Sequence, residues 1–233
     1  MNEKKIIVFG SNGLVGSSIV RKLSLSDKFE VFPSTRKDTN LFNIDEVKST
    51  LNTVNPDVVI IAAAKVGGIH ANNTQRVEFL IENLKINMNI FEACIENPNI
   101  HIINLGSSCI YPLNSPNPIS EKEFMNGVLE KTNSPYAMAK LTSIELADAM
   151  KIQFGHKITS LMPTNLYGPN DNFSLEFSHV IPGLIHRMHV AKVNSKKTFT
   201  AWGTGKPLRE FLFVDDLSSA ISFLIENEIE STL

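Results

Sequence analysis

Tyr136 and Lys140 stand four residues apart in the stretch Ser134-Pro135-Tyr136-Ala137-Met138-Ala139-Lys140. On a helix that spacing puts both on one face, one turn from each other. A phenol with an ordinary pKa of about 10 exchanges protons sluggishly at neutral pH. A fixed ammonium beside it favours the phenolate, so Lys140 is expected to lower the pKa of Tyr136. The pair reads as a proton donor or acceptor with its activator. Taken alone, Y-x-x-x-K also describes an ordinary amphipathic helix. The reading gains weight only if the chain supplies a hydride carrier, an orienting hydroxyl and a substrate.

A hydride carrier needs a place for its pyrophosphate. Ile6-Ile7-Val8-Phe9 is a short apolar run, and Gly10-Ser11-Asn12-Gly13-Leu14-Val15-Gly16 follows it directly. Helical spacing then runs from Ser17 to Leu25, with Ile19, Val20 and Leu23 apolar. Strand, glycine turn and helix together let the backbone approach a pyrophosphate and aim a helix N-terminus at it. The same turn without a ligand would simply join strand to helix. Glu30-Val31-Phe32 reads as the second strand, with Arg36 and Lys37 just past its end. In a dinucleotide fold that place meets the adenosine ribose; arginine there suits a 2′-phosphate, and an acid suits a free hydroxyl. NADP is favoured, while Asp38 keeps NAD open; a solvated turn would also explain Arg36 and Lys37.

The elements that must position these groups alternate along the chain. A helix is expected from about Asp45 to Val54, and a buried strand at Pro56–Ile61 that ends in Ala62-Ala63-Ala64-Lys65-Val66-Gly67-Gly68. Glu78–Glu96 has a long helical pattern, with Cys94 as a small core residue. Ile100–Leu105 is a strand that opens into Gly106-Ser107-Ser108-Cys109-Ile110-Tyr111-Pro112, where Ser107 is placed to meet a substrate. In an extended segment residues two apart point the same way, so Ser107 and Cys109 are expected to face one ligand. A loop to Pro135, a helix from Tyr136 to about Phe154 and a strand from Ile158 to Met162 follow. Beyond Asp171 come a helix over His179–Ala191, strands at Phe199–Trp202 and Arg209–Val214, and a helix over Asp215–Glu226. The alternation predicts an α/β fold, a doubly wound parallel sheet of the Rossmann type. Residues 1–170 form its dinucleotide-binding domain, to which later segments return, and 171–233 a smaller, partial substrate lobe.

Composition sets bounds. The 233 residues can bury a sizeable core, and 42% hydrophobic with 20% charged residues is the balance of a globular protein. A net charge of -2 recruits neither nucleic acid nor a membrane surface, so anionic ligands must be held locally. Two cysteines, Cys94 and Cys109, make no disulfide framework. Only four apolar residues precede Gly10, too few for a signal-peptide core, and no run reaches membrane-spanning length. A cytoplasmic location is the expectation, and no metal site is expected.

The glycine turn, Ser107, Tyr136 and Lys140 together resemble the extended short-chain dehydrogenase/reductases. The segments Ala62–Ile69, Gly106–Pro112, Met162-Pro163-Thr164-Asn165-Leu166-Tyr167-Gly168-Pro169 and Trp202-Gly203-Thr204-Gly205 narrow the likeness to the GDP-L-fucose synthase family. That resemblance covers nearly the whole chain. It implies 3,5-epimerisation of GDP-4-keto-6-deoxy-D-mannose and reduction at C4 with NADP(H), by a homodimer. It implies catalytic roles for Ser107, Tyr136 and Lys140 in reduction and for Cys109 and His179 in epimerisation. It implies cofactor contacts from the glycine turn, from Arg36, Lys37, Asp38, Thr39, Asn40 and Leu41, and from Leu105, Gly106, Ser107 and Ser108. Lys140, the stretch Pro163, Thr164, Asn165 and Leu166, and His179 complete them. Substrate contacts fall on Arg187, Trp202 and Arg209. Some family members carry arginine in the glycine turn where this chain has Asn12, so an NADP preference rests mainly on Arg36. The family's sequence continues past Leu233, which makes the substrate lobe here a truncated one. GDP-L-colitose synthase, an NAD-dependent sugar 4-epimerase and a non-catalytic NADP-binding sensor or scaffold are the alternatives.

Overall fold

In the computed structural model, residues 3–175, 177–201, 203–206 and 208–229 are described. Buried strands need apolar side chains on both faces, and Ile6 to Phe9 supply them in β1 (Lys4–Phe9). The same holds for β3 (Val58–Ile61), β4 (His101–Leu105) and β5 (Ile158–Leu161), every residue of which is buried. The edge strand β2 (Phe29–Ser34) carries Pro33, tolerable where one side of a strand has no ladder partner. All pair in parallel, in the order β2-β1-β3-β4-β5.

Helices cover both faces. Against one lie α2 (Ile44–Val54), α4 (Arg76–Cys94) and α5 (Ser134–Phe154), around a core of Phe9, Val47, Ile90, Phe91, Cys94 and Met150. Against the other lie α1 (Leu14–Leu23) and α7 (Val214–Glu226), around Ile19, Leu23, Ile60, Leu217 and Ile221. The last helix thus returns to the sheet that the first strand begins. Pro135 sits in the first turn of α5, and Gly155 ends it at φ 72° in the left-handed region. A second, two-stranded parallel sheet joins β6 (Asn165–Tyr167) to β7 (Phe211–Phe213), and α6 (Val180–Val193) lies between them in sequence. A short helix, α3 (Ile69–Thr74), precedes α4.

The doubly wound sheet expected from sequence is therefore present. Helix α1 starts at Leu14, three residues before Ser17, because Gly13 in extended backbone serves as its N-cap. The strand expected at Phe199–Trp202 does not form over Phe199–Ala201, and Trp202 lies outside the described residues. Residues 192–200 are exposed, and a short strand without a neighbour leaves its backbone groups to water. Conversely Asn165–Tyr167, where no strand is expected from sequence, forms one because Phe211–Phe213 pairs with it.

Candidate active site

In an open parallel sheet, ligands bind beyond the carboxyl ends of the strands where helices diverge to opposite faces. Here that edge gathers the Gly10–Gly16 turn after β1, the Ala62–Gly68 stretch after β3, and Gly106–Cys109 after β4. Gly10 has φ +83°, and a Cβ there would lie 2.6 Å from Ala63 backbone. A Cβ on Gly16 would meet the Gly10 carbonyl oxygen at 2.1 Å, so α1 packs against the turn only because 16 is glycine. At Gly13 a Cβ would find ordinary contact at 3.6 Å, and the residue is exposed. No side chain caps α1, and its first turn holds no acid. A diphosphate fits this cradle: the first N–H groups of an uncapped helix, a positive dipole end and no acid in the first turn.

The loop after β2 is tied to that turn. Gly10 N and Ser11 N both donate to Ser34 O, at 2.9 and 3.2 Å. Arg36, exposed two residues beyond β2, lays its guanidinium over Phe42 at 5.8 Å from the ring centre. Asp38 turns back instead: its carboxylate accepts from Thr35 N at 2.8 Å and Thr35 Oγ1 at 2.6 Å, which holds its pKa below the usual carboxylate value. The cation is thus presented outward while the acid is engaged within the loop, an arrangement suited to a 2′-phosphate. Thr39 is buried, its hydroxyl between those of Ser34 and Thr50. Leu41 packs on the core, so these two side chains brace the loop.

The reacting cluster forms where β4 meets α5. Lys140 is 2% exposed, and its Nζ donates to Leu105 O at 2.6 Å. The same Nζ lies 5.8 Å from the centre of the Tyr136 ring. Ser107 caps a single 3₁₀ turn, Ser108–Ile110, and its hydroxyl accepts from Cys109 N at 3.4 Å. The chain is not extended there; the cap, rather than strand alternation, keeps Ser107 and Cys109 together. The Ser107 hydroxyl also lies close enough to the Tyr136 phenol and the Cys109 thiol to pull their pKa values down. Four residues from two elements therefore share one site.

Burial decides its electrostatics. It pushes the Tyr136 phenol well above its ordinary value, the neighbouring Cys109 adds to this, and Ser107 only partly opposes it. The expected lowering by Lys140 is absent. Helical spacing brings the ammonium near but says nothing of the water lost around the hydroxyl, and here desolvation wins. Burial brings Lys140 down to about 8, partly offset by Cys109. Burial also raises the Cys109 thiol, against the pull of Ser107 and Lys140. The phenol is thus kept in its donor form.

Several supports come from residues that no motif marks. Phe79 of α4 packs edge-on against Tyr136, with ring centres 6.3 Å apart. Buried Asn83 clamps the loop after β3: its Oδ1 accepts from Lys65 N at 2.9 Å and its Nδ2 donates to Lys65 O at 3.0 Å. Arg76 donates to Lys131 O at 2.8 Å, Thr132 O at 3.2 Å and Ser134 Oγ at 3.2 Å. Glu130 accepts from Thr132 N at 3.0 Å and Asn133 N at 3.2 Å, so the start of α5 is held from both sides.

The remaining site residues lie on a rim. Ser108 N donates to Pro163 O at 3.2 Å, and Asn165 Nδ2 donates to Glu210 O at 2.9 Å, which brings Arg209 beside the Pro163–Leu166 stretch. Arg209 is exposed and donates to Leu208 O at 2.7 Å. Arg187 is half-buried on α6, one turn beyond Gly183. His179 caps α6 and is exposed; it acts electrostatically on Asp171 and is not joined to Cys109 or Tyr136 by any contact among the described residues. No group of three metal-ligating side chains occurs among the described residues, and no helix there is long and apolar enough to cross a membrane.

A dinucleotide cradle joined to a partly buried Ser–Tyr–Lys group defines a nucleotide-dependent oxidoreductase or epimerase, and the chain belongs to the NAD dependent epimerase/dehydratase family, whose family model matches residues 6–232. Within it the chain is similar to GDP-L-fucose synthases. It is 48% identical to GDP-L-fucose synthase 1 of Arabidopsis thaliana, over 95% of this chain and 69% of that one. It is 42% identical to the GDP-L-fucose synthase of Escherichia coli (strain K12), over 97% and 70%. A solved GDP-L-fucose synthetase from Naegleria fowleri, bound to NADP, superposes with a TM-score of 0.84 at 31% identity, covering 97% of this chain and 74% of that one.

Proposed function

We propose that this chain converts GDP-4-keto-6-deoxy-D-mannose to GDP-L-fucose, epimerising C3 and C5 and reducing C4 with NADPH. One observation carries the reading: Cys109 shares a site with Ser107, Tyr136 and Lys140. Ketone reduction requires only the last three. A thiol against them adds a proton carrier for the carbons beside the ketone, which a plain 4-epimerase does not need. The relatives named GDP-L-fucose synthase and the NADP-bound neighbour support the same substrate and cofactor.

The glycine turn, Arg36 and Lys140 would hold NADPH, which when bound would supply the hydride for C4. Ser107 donates to the ketone oxygen, where negative charge develops. Tyr136, kept protonated by burial, passes its proton to that oxygen. Lys140 keeps positive charge beside the phenol. For epimerisation, the ketone acidifies the protons on C3 and C5. Inversion needs removal on one face and return on the other, and Cys109 and His179 are the two carriers. Arg187 and Arg209 hold the diphosphate, and Trp202 stacks on a ring. Residues 1–170 with α7 bind the cofactor, and the stretch after 170 contributes to the substrate lobe. Exposed Val77, Ile81 and Met88 on α4, with Met138 on α5, support a homodimer. Two free thiols support a reducing cytoplasm.

The test is NADPH oxidation with GDP-4-keto-6-deoxy-D-mannose, product stereochemistry being read by NMR. GDP-L-fucose is expected. Cofactor binding without turnover would overturn the reading in favour of a sensor, and faster turnover of the 3-deoxy substrate in favour of a colitose enzyme.

A further inference from the structure

We propose that Asp171 is the positioning residue for His179, its carboxylate accepting one imidazole N–H so that the other ring nitrogen faces the sugar. This rests on the proposed epimerisation. Asp171 follows the turn after β6, where its N–H donates to Gly168 O at 3.3 Å. One carboxylate oxygen, Oδ1, accepts from Asn172 N at 2.7 Å. The other, Oδ2, is buried and has no hydrogen-bond partner among the described residues. A buried acceptor without a donor is costly, and few are kept without cause.

The surroundings supply the cause. Asp171 lines a cavity of about 330 Å³ together with Phe173, Phe213 and Ile181 and Pro182 of the first turn of α6. His179 is the cap of that same turn. Burial raises the pKa of Asp171, while His179 is near enough to pull it down. Both partners stand on anchored backbone. Asn170 Nδ2 donates to Ser17 Oγ at 3.0 Å, pinning the Asp171 loop to α1. Gly68 N donates to Phe177 O at 3.0 Å, pinning the segment before His179 to the loop after β3.

A histidine that carries protons needs a defined tautomer and a counter-charge once it is protonated. In the epimerising step a C–H bond beside the ketone breaks, its electron pair staying on the substrate as an enolate. The proton joins the free ring nitrogen, and the imidazolium so formed is balanced by Asp171. Return of a proton from the opposite carrier completes the inversion.

Asp171→Asn keeps the shape and removes the charge. Solvent deuterium uptake at C3 and C5 is expected to fall by about tenfold to a hundredfold, with KM unchanged. Ketone reduction should fall far less, so the product shifts towards an unepimerised GDP-6-deoxyhexose. Asp171→Glu should recover part of the exchange, which a purely structural role would not do. Exchange by Asp171→Asn at the wild-type rate overturns the inference. So does an equal loss of exchange and reduction that Asp171→Glu does not relieve. Wild-type protein that neither exchanges nor reduces this substrate overturns the proposed function itself.

Discussion

The strand-end cluster and the rim opposite it are built differently. Ser107, Tyr136 and Lys140 hang on elements whose cores are closed, and Lys140 is 2% exposed. Every described residue between 194 and 210 is exposed. Leu208 is 91% exposed, and a Cβ on Gly203 or Gly205 would touch nothing within 4 Å. The groups assigned to reduction are preorganised in the sheet domain, where a misplaced group would be most costly to rate. Arg209, assigned to the nucleotide sugar, lies on that exposed stretch. The difference teaches that chemistry and recognition here depend on separate reserves of packing.

That contrast can be broken at either end. Tyr136→Phe should bind NADPH as wild type does and lose about 10²–10⁴-fold in reduction, measured by cofactor oxidation, since only the proton donor is removed. Retained turnover would move the acid elsewhere. Gly16→Ala should cost about 1–3 kcal/mol in urea unfolding, because the new Cβ would lie 2.1 Å from the Gly10 carbonyl oxygen. Arg36→Ala should raise the Kd for NADPH about tenfold and leave NADH nearly unchanged, read by fluorescence titration. Equal losses would take the 2′-phosphate away from Arg36.

The pH profile gives a smaller effect. Burial lowers Lys140 to about 8, so its ammonium is present below that pH and titrates away above it. Tyr136, raised, stays protonated throughout. Reduction should therefore hold from neutrality to about pH 8 and decline beyond, and a profile flat to pH 10 would count against the ammonium. Smallest of all, Arg209→Ala should change unfolding stability by less than about 0.5 kcal/mol while weakening sugar-nucleotide binding. A large loss of stability would make the rim part of the core.

Much of this was legible because it is local. Apolar runs such as Val58–Ile61 marked the central strands, and the glycine turn marked the cradle. What was not legible depends on partners far along the chain. Arg76 holds carbonyls more than fifty residues away, and Asn83 clamps Lys65 across eighteen. Residue spacing placed Lys140 next to Tyr136 but misjudged the sign of the phenol's shift, since solvent exclusion comes from the whole fold. Phe199–Ala201 looked like a strand by composition and lacks a neighbour, whereas Asn165–Tyr167 did not and has one.

The short stretch from Pro163 to Asn165 is bonded at both ends. Ser108 grips the Pro163 carbonyl, and Asn165 grips the Glu210 carbonyl next to Arg209. Two residues of extended chain span about 7 Å. The stretch therefore ties the backbone next to Ser107 to the backbone next to Arg209, two residues of chain apart.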